Sequence, residues 1–227
     1  MVPDTVAAFR ERYRREKLPA RYSGRAHFAF ITTLALGVTA LCLWRSAGAT
    51  PREWLAVPVT FLFANFVEYR GHRGPMHHRT RGLGLLYQRH TLSHHRYYTD
   101  EAMAAASARD FHMVLFPPVL LLFFLGQLVP LFFVVKWIWS AAVGWLFCAT
   151  GVAYYLTYEW LHLAYHLPRE SFVGRLRVVA ALRRLHTEHH APALMQRWNF
   201  NITFPICDAL FGTRYRGEAG APGDQAP

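Results

Sequence analysis

The chain has 227 residues, a formal net charge of +11 and 53% apolar residues gathered in long runs. Its basic residues flank those runs and form no groove-reading motif, which argues against nucleic acid as a partner. Its three cysteines include no CxxC pair, which argues against a disulfide framework or a structural zinc site.

Residues 1–27 form a basic N-terminal segment, too charged for the apolar region of a signal peptide. Within it, 5-TVAAFRERYRREK-17 predicts an amphipathic or solvated helix lying on the membrane surface. The first apolar runs predict spans at about 28–44 and 54–70. The run 111–167 is too long for one crossing. Gly and Pro cluster at 126-GQLVP-130, so the turn is expected there, between spans at about 111–128 and 137–160. Cys42 and Cys148 fall inside spans and Cys207 in an apolar tail segment, all three as packing residues. Residues 216–227 predict a disordered tail. With four crossings, 22 of the 25 Lys and Arg lie on one side. The positive-inside rule then puts both termini and the 70–110 loop in the cytoplasm. Arg, Ala, Gly and Pro richness points to a GC-rich genome and a bacterial inner membrane.

Ten of the 13 histidines fall in four groups: His72 and His77; His90, His94 and His95; His162 and His166; His186, His189 and His190. The topology brings all four groups to the cytoplasmic face. Imidazole is the commonest protein ligand for zinc, iron, copper and nickel, and ten imidazoles suit two ions close together. His162 and His166 are i,i+4, as are His90 and His94, and His186 and His190, so each pair shares a helix face. His72 and His77 are i,i+5, about 140° apart on an ideal helix. They converge only if the helix is distorted, and 74-GP-75 supplies a break. Glu68 and Glu159, at the inner ends of spans, are candidates to take the second N–H of a ligating ring or, less often, to ligate directly. His27 and His112 stand outside the pattern, and His78 is an alternative to its neighbour His77. Tyr97, Tyr98, Trp160 and Trp198 read as interfacial belt residues.

The ordered series 68-EYRGHRGPMHH-78, 90-HTLSHH-95, 159-EWLHLAYH-166, 186-HTEHH-190 and 199-NFNITFPICDALFGT-213 resembles the fatty acid hydroxylase/sterol desaturase superfamily over about residues 54–215. Its HX4H start and HX3H third group look most like the lipid 2-hydroxylases. The resemblance implies an all-α integral membrane fold, with four transmembrane helices in two hairpins and a cytosolic histidine-rich helical cap. The domain would occupy residues 28–215. It also implies O2-dependent hydroxylation of a lipid C–H bond at a centre of two Fe ions, with Zn able to replace them in purified material. The ligands carried over are His72, His77, His90, His94, His95, His162, His166, His186, His189 and His190. The second group is HX3HH where those relatives usually have HX2HH, and Asn201 stands where they commonly have Gly. The fused cytochrome b5 domain of some relatives is not expected. Electrons would come from a separate cytochrome b5-like or ferredoxin-like carrier, and the lipid from the bilayer.

Desaturation and C–C cleavage begin with the same hydrogen abstraction and are the nearest rivals. A histidine-lined metal transporter is a second rival, although transport sites usually lie at the bilayer midplane. A zinc hydrolase is disfavoured, because such sites use about three protein ligands.

Overall fold

A computed structural model describes residues 5–217, so most of the expected C-terminal tail lies outside the described residues. The fold is helical: α1 (Val6–Glu16), α2 (Gly24–Arg45), α3 (Ala56–Gly71), α4 (Gly84–Arg89), α5 (His95–Tyr97), α6 (Phe111–Val114), α7 (Pro118–Ile138), α8 (Ala141–Tyr165), α9 (Arg177–His190) and α10 (Ile206–Leu210). Two π turns, His72–Met76 and His90–His94, extend α3 and α4.

The long helix α8 is the centre of the bundle and packs against α2, α7 and α3. Around it the usual inside-out rule is reversed. α7 buries only Leu121 and turns residues such as Leu122, Phe123 and Phe133 outward. α3 buries Thr60, Asn65 and Tyr69 while exposing Val59, Leu62, Phe63 and Val67. Such contiguous apolar surface is unstable against water and needs an apolar neighbour. Of these helices, α2 and α7 are long and apolar enough to cross a membrane.

The second hairpin departs from expectation. α7 runs unbroken through Gly126 and Pro130 to Ile138, and the chain reverses at Trp139–Ser140. An interior proline removes one N–H, a loss that apolar helices tolerate when neighbours re-satisfy the backbone. The effective stop is Ser140, whose hydroxyl caps α8 by accepting the Val143 N–H at 3.2 Å. The same hydroxyl donates to Glu53 at 2.5 Å, tying the loop of the first hairpin to the turn of the second.

At the other end, α1 folds back onto the segment that follows α5. Arg10 donates to the carbonyls of Tyr97 (2.7 Å), Ala104 (3.2 Å) and Ala102. Arg14 forms a forked pair with the buried Asp110, at 2.7 and 2.8 Å. Asp110 also accepts from the Tyr97 hydroxyl at 2.6 Å and the Ala106 N–H at 2.8 Å. Tyr97 and Tyr98 are therefore buried structural residues and not belt residues. Ser23 caps the start of α2 by accepting the Ala26 N–H, and the first residue is Gly24 because a Cβ there would stand 1.7 Å from Ala108 O. Any side chain at residue 24 would push α2 away from this knot.

Burial raises the Asp110 pKa, but the Arg14 and Tyr97 hydrogen bonds outweigh it and hold the carboxyl below its ordinary value. A depressed carboxylate contributes stability in full above its unfolded pKa of about 3.9 and loses it as pH falls through the folded value. Acidification below about pH 4 should therefore release α1. Limited proteolysis by an acid-active protease should cut between residues 5 and 24 at pH 3 and not at pH 6. Asp110→Asn should expose that segment at both values.

Candidate metal centre

The ten histidines, up to 118 positions apart in the chain, are all buried and meet at one end of the bundle. They form two groups. His72, His77, His90, His95 and His189 make the first, and His94, His166, His186 and His190 the second. Within each group the ligand atoms lie within 4.8 Å of one another. His162 joins the second group, its Nε2 being 3.2 Å from His94 Nε2. The His95 and His190 rings stack between the groups at a centroid distance of 4.2 Å.

The π turns explain this pairing. In a π turn the N–H reaches back five residues, so positions five apart share a face. The His95 N–H bonds His90 O in this way, which puts His90 and His95 in one group and leaves His94 for the other. The extra residue of HX3HH is thus absorbed by the widened turn, and His90 sits 2.8 Å from His72 and 3.1 Å from His95, Nε2 to Nε2. The turn at His72–Met76, which contains Pro75, likewise brings His77 to 3.2 Å from His72. On α9 the adjacent pair His189 and His190 is split between the groups, like His94 and His95.

Hydrogen bonds fix which ring nitrogens face inward. Nδ1 of His72, His94, His166, His189 and His190 bonds the carbonyls of Phe200, Met113 (3.1 Å), Met103 (2.9 Å), Trp198 (2.8 Å) and Tyr98 (2.6 Å). A carbonyl only accepts, so each Nδ1 carries the proton and each Nε2 a bare lone pair. His77 is set the same way: Thr91 spends its hydroxyl proton on Met76 O at 2.6 Å and can only accept from His77 Nδ1 at 3.3 Å. Nδ1 of His95, His162 and His186 has no such partner, leaving the tautomers of these rings free to follow a ligand.

The Nε2 atoms then meet lone pair to lone pair. His77 Nε2 lies 2.9 Å from His189 Nε2 and 3.2 Å from His72 Nε2, with no proton available for either contact. Neighbouring nitrogens around one ion at about 2.1 Å stand about 3.0–3.4 Å apart. The donor set therefore fits a metal in each group. Burial pushes the His72 pKa down to about 4. Burial, then neighbouring rings, holds His90, His95, His186 and His189 well below the ordinary value. These rings are neutral near pH 7, the form that ligates.

The two carboxylates act at one remove. Glu68 accepts from the Ile202 N–H, the Thr203 N–H (3.0 Å), the Thr203 hydroxyl (2.6 Å) and the Tyr154 hydroxyl. It thereby holds the irregular segment whose Phe200 carbonyl orients His72. Glu159 accepts the Phe116 N–H at 3.2 Å, three residues beyond the Met113 carbonyl that orients His94. Sequence reasoning missed the knot that supports this tail. Asp208 receives the Phe200 and Asn201 N–H groups at 2.9 and 2.7 Å, and Asn201 donates to Asn65 O at 3.1 Å. Asn65, a buried amide in the apolar run of α3, was the available signal. His78 is exposed, and His27 and His112 bond Tyr22 (2.8 Å) and Tyr13 (3.0 Å) away from the cluster. Trp160 donates to Thr32 at 3.0 Å, and Trp198 lends its carbonyl to His189.

A narrow cleft of about 20 Å³, lined by Met76, Leu86, Met113, Val114, Phe116 and Tyr158, opens onto His90, His94 and His162. Apart from Arg89 and the three histidines its walls are apolar, and they leave room for about one water molecule.

A family model described as fatty acid hydroxylase matches residues 57–213. Among solved structures the chain is similar to full-length Scs7p, of which only the hydroxylase domain is visible, with a TM-score of 0.62. The two share 19% identity, and the match covers 83% of this chain and 67% of that one. At that identity the likeness speaks for a shared fold. No curated protein sequence matches the chain. Ordered histidine groups, their convergence at one end of an apolar bundle and the family match over most of the chain lead to one assignment: the chain belongs to the fatty acid hydroxylase family.

Proposed function

We propose that the protein is a membrane-embedded, O2-dependent hydroxylase of a lipid chain, working through two iron ions held by the ten histidines. The observation that carries this reading is the set of inward-facing Nε2 lone pairs in two groups beside an apolar cleft. The balanced reaction takes a C–H bond, O2, two electrons and two protons to an alcohol and water. The bound ions would supply the redox chemistry with dioxygen that no side chain offers. The chain does the rest. Backbone carbonyls hold the rings in one tautomer, and the two π turns aim neighbouring rings at different groups. Met76, Leu86 and Met113 line the narrow cleft with flexible apolar side chains that would have to part for an alkyl chain to reach the histidines.

In this reading α2, α3, α7 and α8 all cross the bilayer. The reversed burial of α3 and α7 supports that arrangement. The excess of basic residues at the histidine end supports a cytoplasmic site with both termini on the same side, in a bacterial inner membrane. A separate cytochrome b5-like or ferredoxin-like protein would deliver electrons. Metal transport fits less well, because the histidines cluster at one end of the bundle and not midway along it.

The test is lipid mass spectrometry on cells with and without the gene grown under ¹⁸O2, paired with metal analysis of purified protein. A lipid gaining one ¹⁸O atom, with two metal ions per chain, is expected. Loss of two hydrogens without label would instead make it a desaturase. Metal flux in liposomes without O2 consumption would overturn the reading.

A further inference from the structure

A second, larger cavity of about 500 Å³ lies between α1 and the start of α4 with its π turn, within the usual size of a ligand pocket. It does not belong to the histidine cluster, yet Arg89 and Met113 line both this cavity and the cleft at the histidines. The two spaces are therefore neighbours, and Arg89 is followed directly in the chain by His90. Three cationic side chains, Arg12, Lys17 and Arg89, face the cavity against one carboxylate, Glu16. Its remaining walls include Phe9, Leu92 and Pro117. Pro117 directly precedes α7, so the cavity sits where an apolar helix begins, and exposed Leu85 and Leu92 make an apolar rim. Arg89 is fixed by donating to His112 O at 2.5 Å and Leu115 O at 2.9 Å, which holds its charge at the junction.

Building on the hydroxylase reading, we propose that this cavity is a headgroup site and that the substrate is a lipid with an anionic head, a carboxylate or a phosphate. The head rests among Arg12, Lys17 and Arg89, and the chain passes Met113 into the cleft at His90, His94 and His162. Cationic groups around an amphipathic cavity favour an anion over a neutral head by direct attraction, strengthened where apolar walls exclude water. The N-terminal helix, outside the histidine machinery, becomes the wall that selects the substrate. Its docking through Arg10 and Arg14 is what gives the cavity its shape.

The test uses the full chain in phosphatidylcholine nanodiscs and three probes with one alkyl chain: palmitic acid, hexadecyl phosphate and hexadecanol. Binding to empty discs is subtracted. The wild-type protein should bind at least one of the two anions about tenfold more tightly than the alcohol, and whichever anion wins names the headgroup. Arg12→Gln with Lys17→Gln should reduce that preference to about threefold or less, with hexadecanol binding unchanged. Arg175→Gln with Arg177→Gln, an equal charge change before and at the start of α9, should keep the preference. Equal binding of all three probes by the wild type would overturn the assignment. So would a preference that survives the α1 changes, or one lost equally in the α9 control. Binding is read without turnover. An anionic preference in a protein that makes no oxygenated product would leave the headgroup site standing while the hydroxylase reading fails. An oxygenated product without any preference would sink the headgroup site alone.

Discussion

His189→Ala is expected to lose one of two bound metal ions and to lower O2-dependent product by more than about 100-fold, beyond the 10–100-fold typical of outer partners. His190→Ala should do the same to the other ion. The two residues are adjacent, but His189 points to the group of His72 and His77 while His190 points to that of His166 and His186. Metal content should fall from two ions to about one per chain in either variant and to near none when both are changed. The variants should remain in the membrane, since the exposed apolar surfaces of α3 and α7 lie on helices other than α9. A single shared site would behave differently: either change alone would release all the metal. Full activity in His189→Ala would remove the ligand assignment.

How the histidines divide was only partly legible in the sequence. The four groups and their meeting at one end followed from spacing and charge. Their pairing did not, because a rotation of about 100° per residue puts His90 with His94. The π turn puts His90 with His95, and the extra residue in HX3HH is the mark of that turn. For His72 and His77 the same distortion was signalled by 74-GP-75, and the structure uses it. At 126-GQLVP-130 the identical residue types misled, since an apolar helix in a bundle carries Gly and Pro without ending. A capping serine, Ser140, was the better stop signal, being local chemistry that survives any solvent. The tyrosines at 97 and 98 read as belt residues because sequence shows amphipathic rings and not what covers them. α1 and Asp110 cover them here. The partners of Glu68 and Glu159 lay in distant backbone and, for Glu68, in the hydroxyls of Thr203 and Tyr154, which no local pattern encodes.

Glu68 carries the second large expectation. Glu68→Ala removes the acceptor for two backbone N–H groups, at Ile202 and Thr203, and for the hydroxyls of Thr203 and Tyr154. Each buried donor left without a partner costs about 1–3 kcal/mol, so the variant should lose several kcal/mol of stability. The tail, still tied through Asp208 and Asn201, loses one of its anchors and can shift the Phe200 and Trp198 carbonyls that orient His72 and His189, both in the first group. The second group takes its orientation elsewhere, from Met113, Met103 and Tyr98. Metal titration should accordingly show one ion weakened by about 10–100-fold and the other held nearly as in the wild type. Glu68→Gln keeps one acceptor oxygen and should fall between the two. Thermal unfolding in detergent with and without metal separates the effects, because lost tail packing lowers the transition of the metal-free protein as well. Equal weakening of both ions would show that the groups are coupled through the tail. No weakening of either would mean that ring orientation does not depend on Glu68.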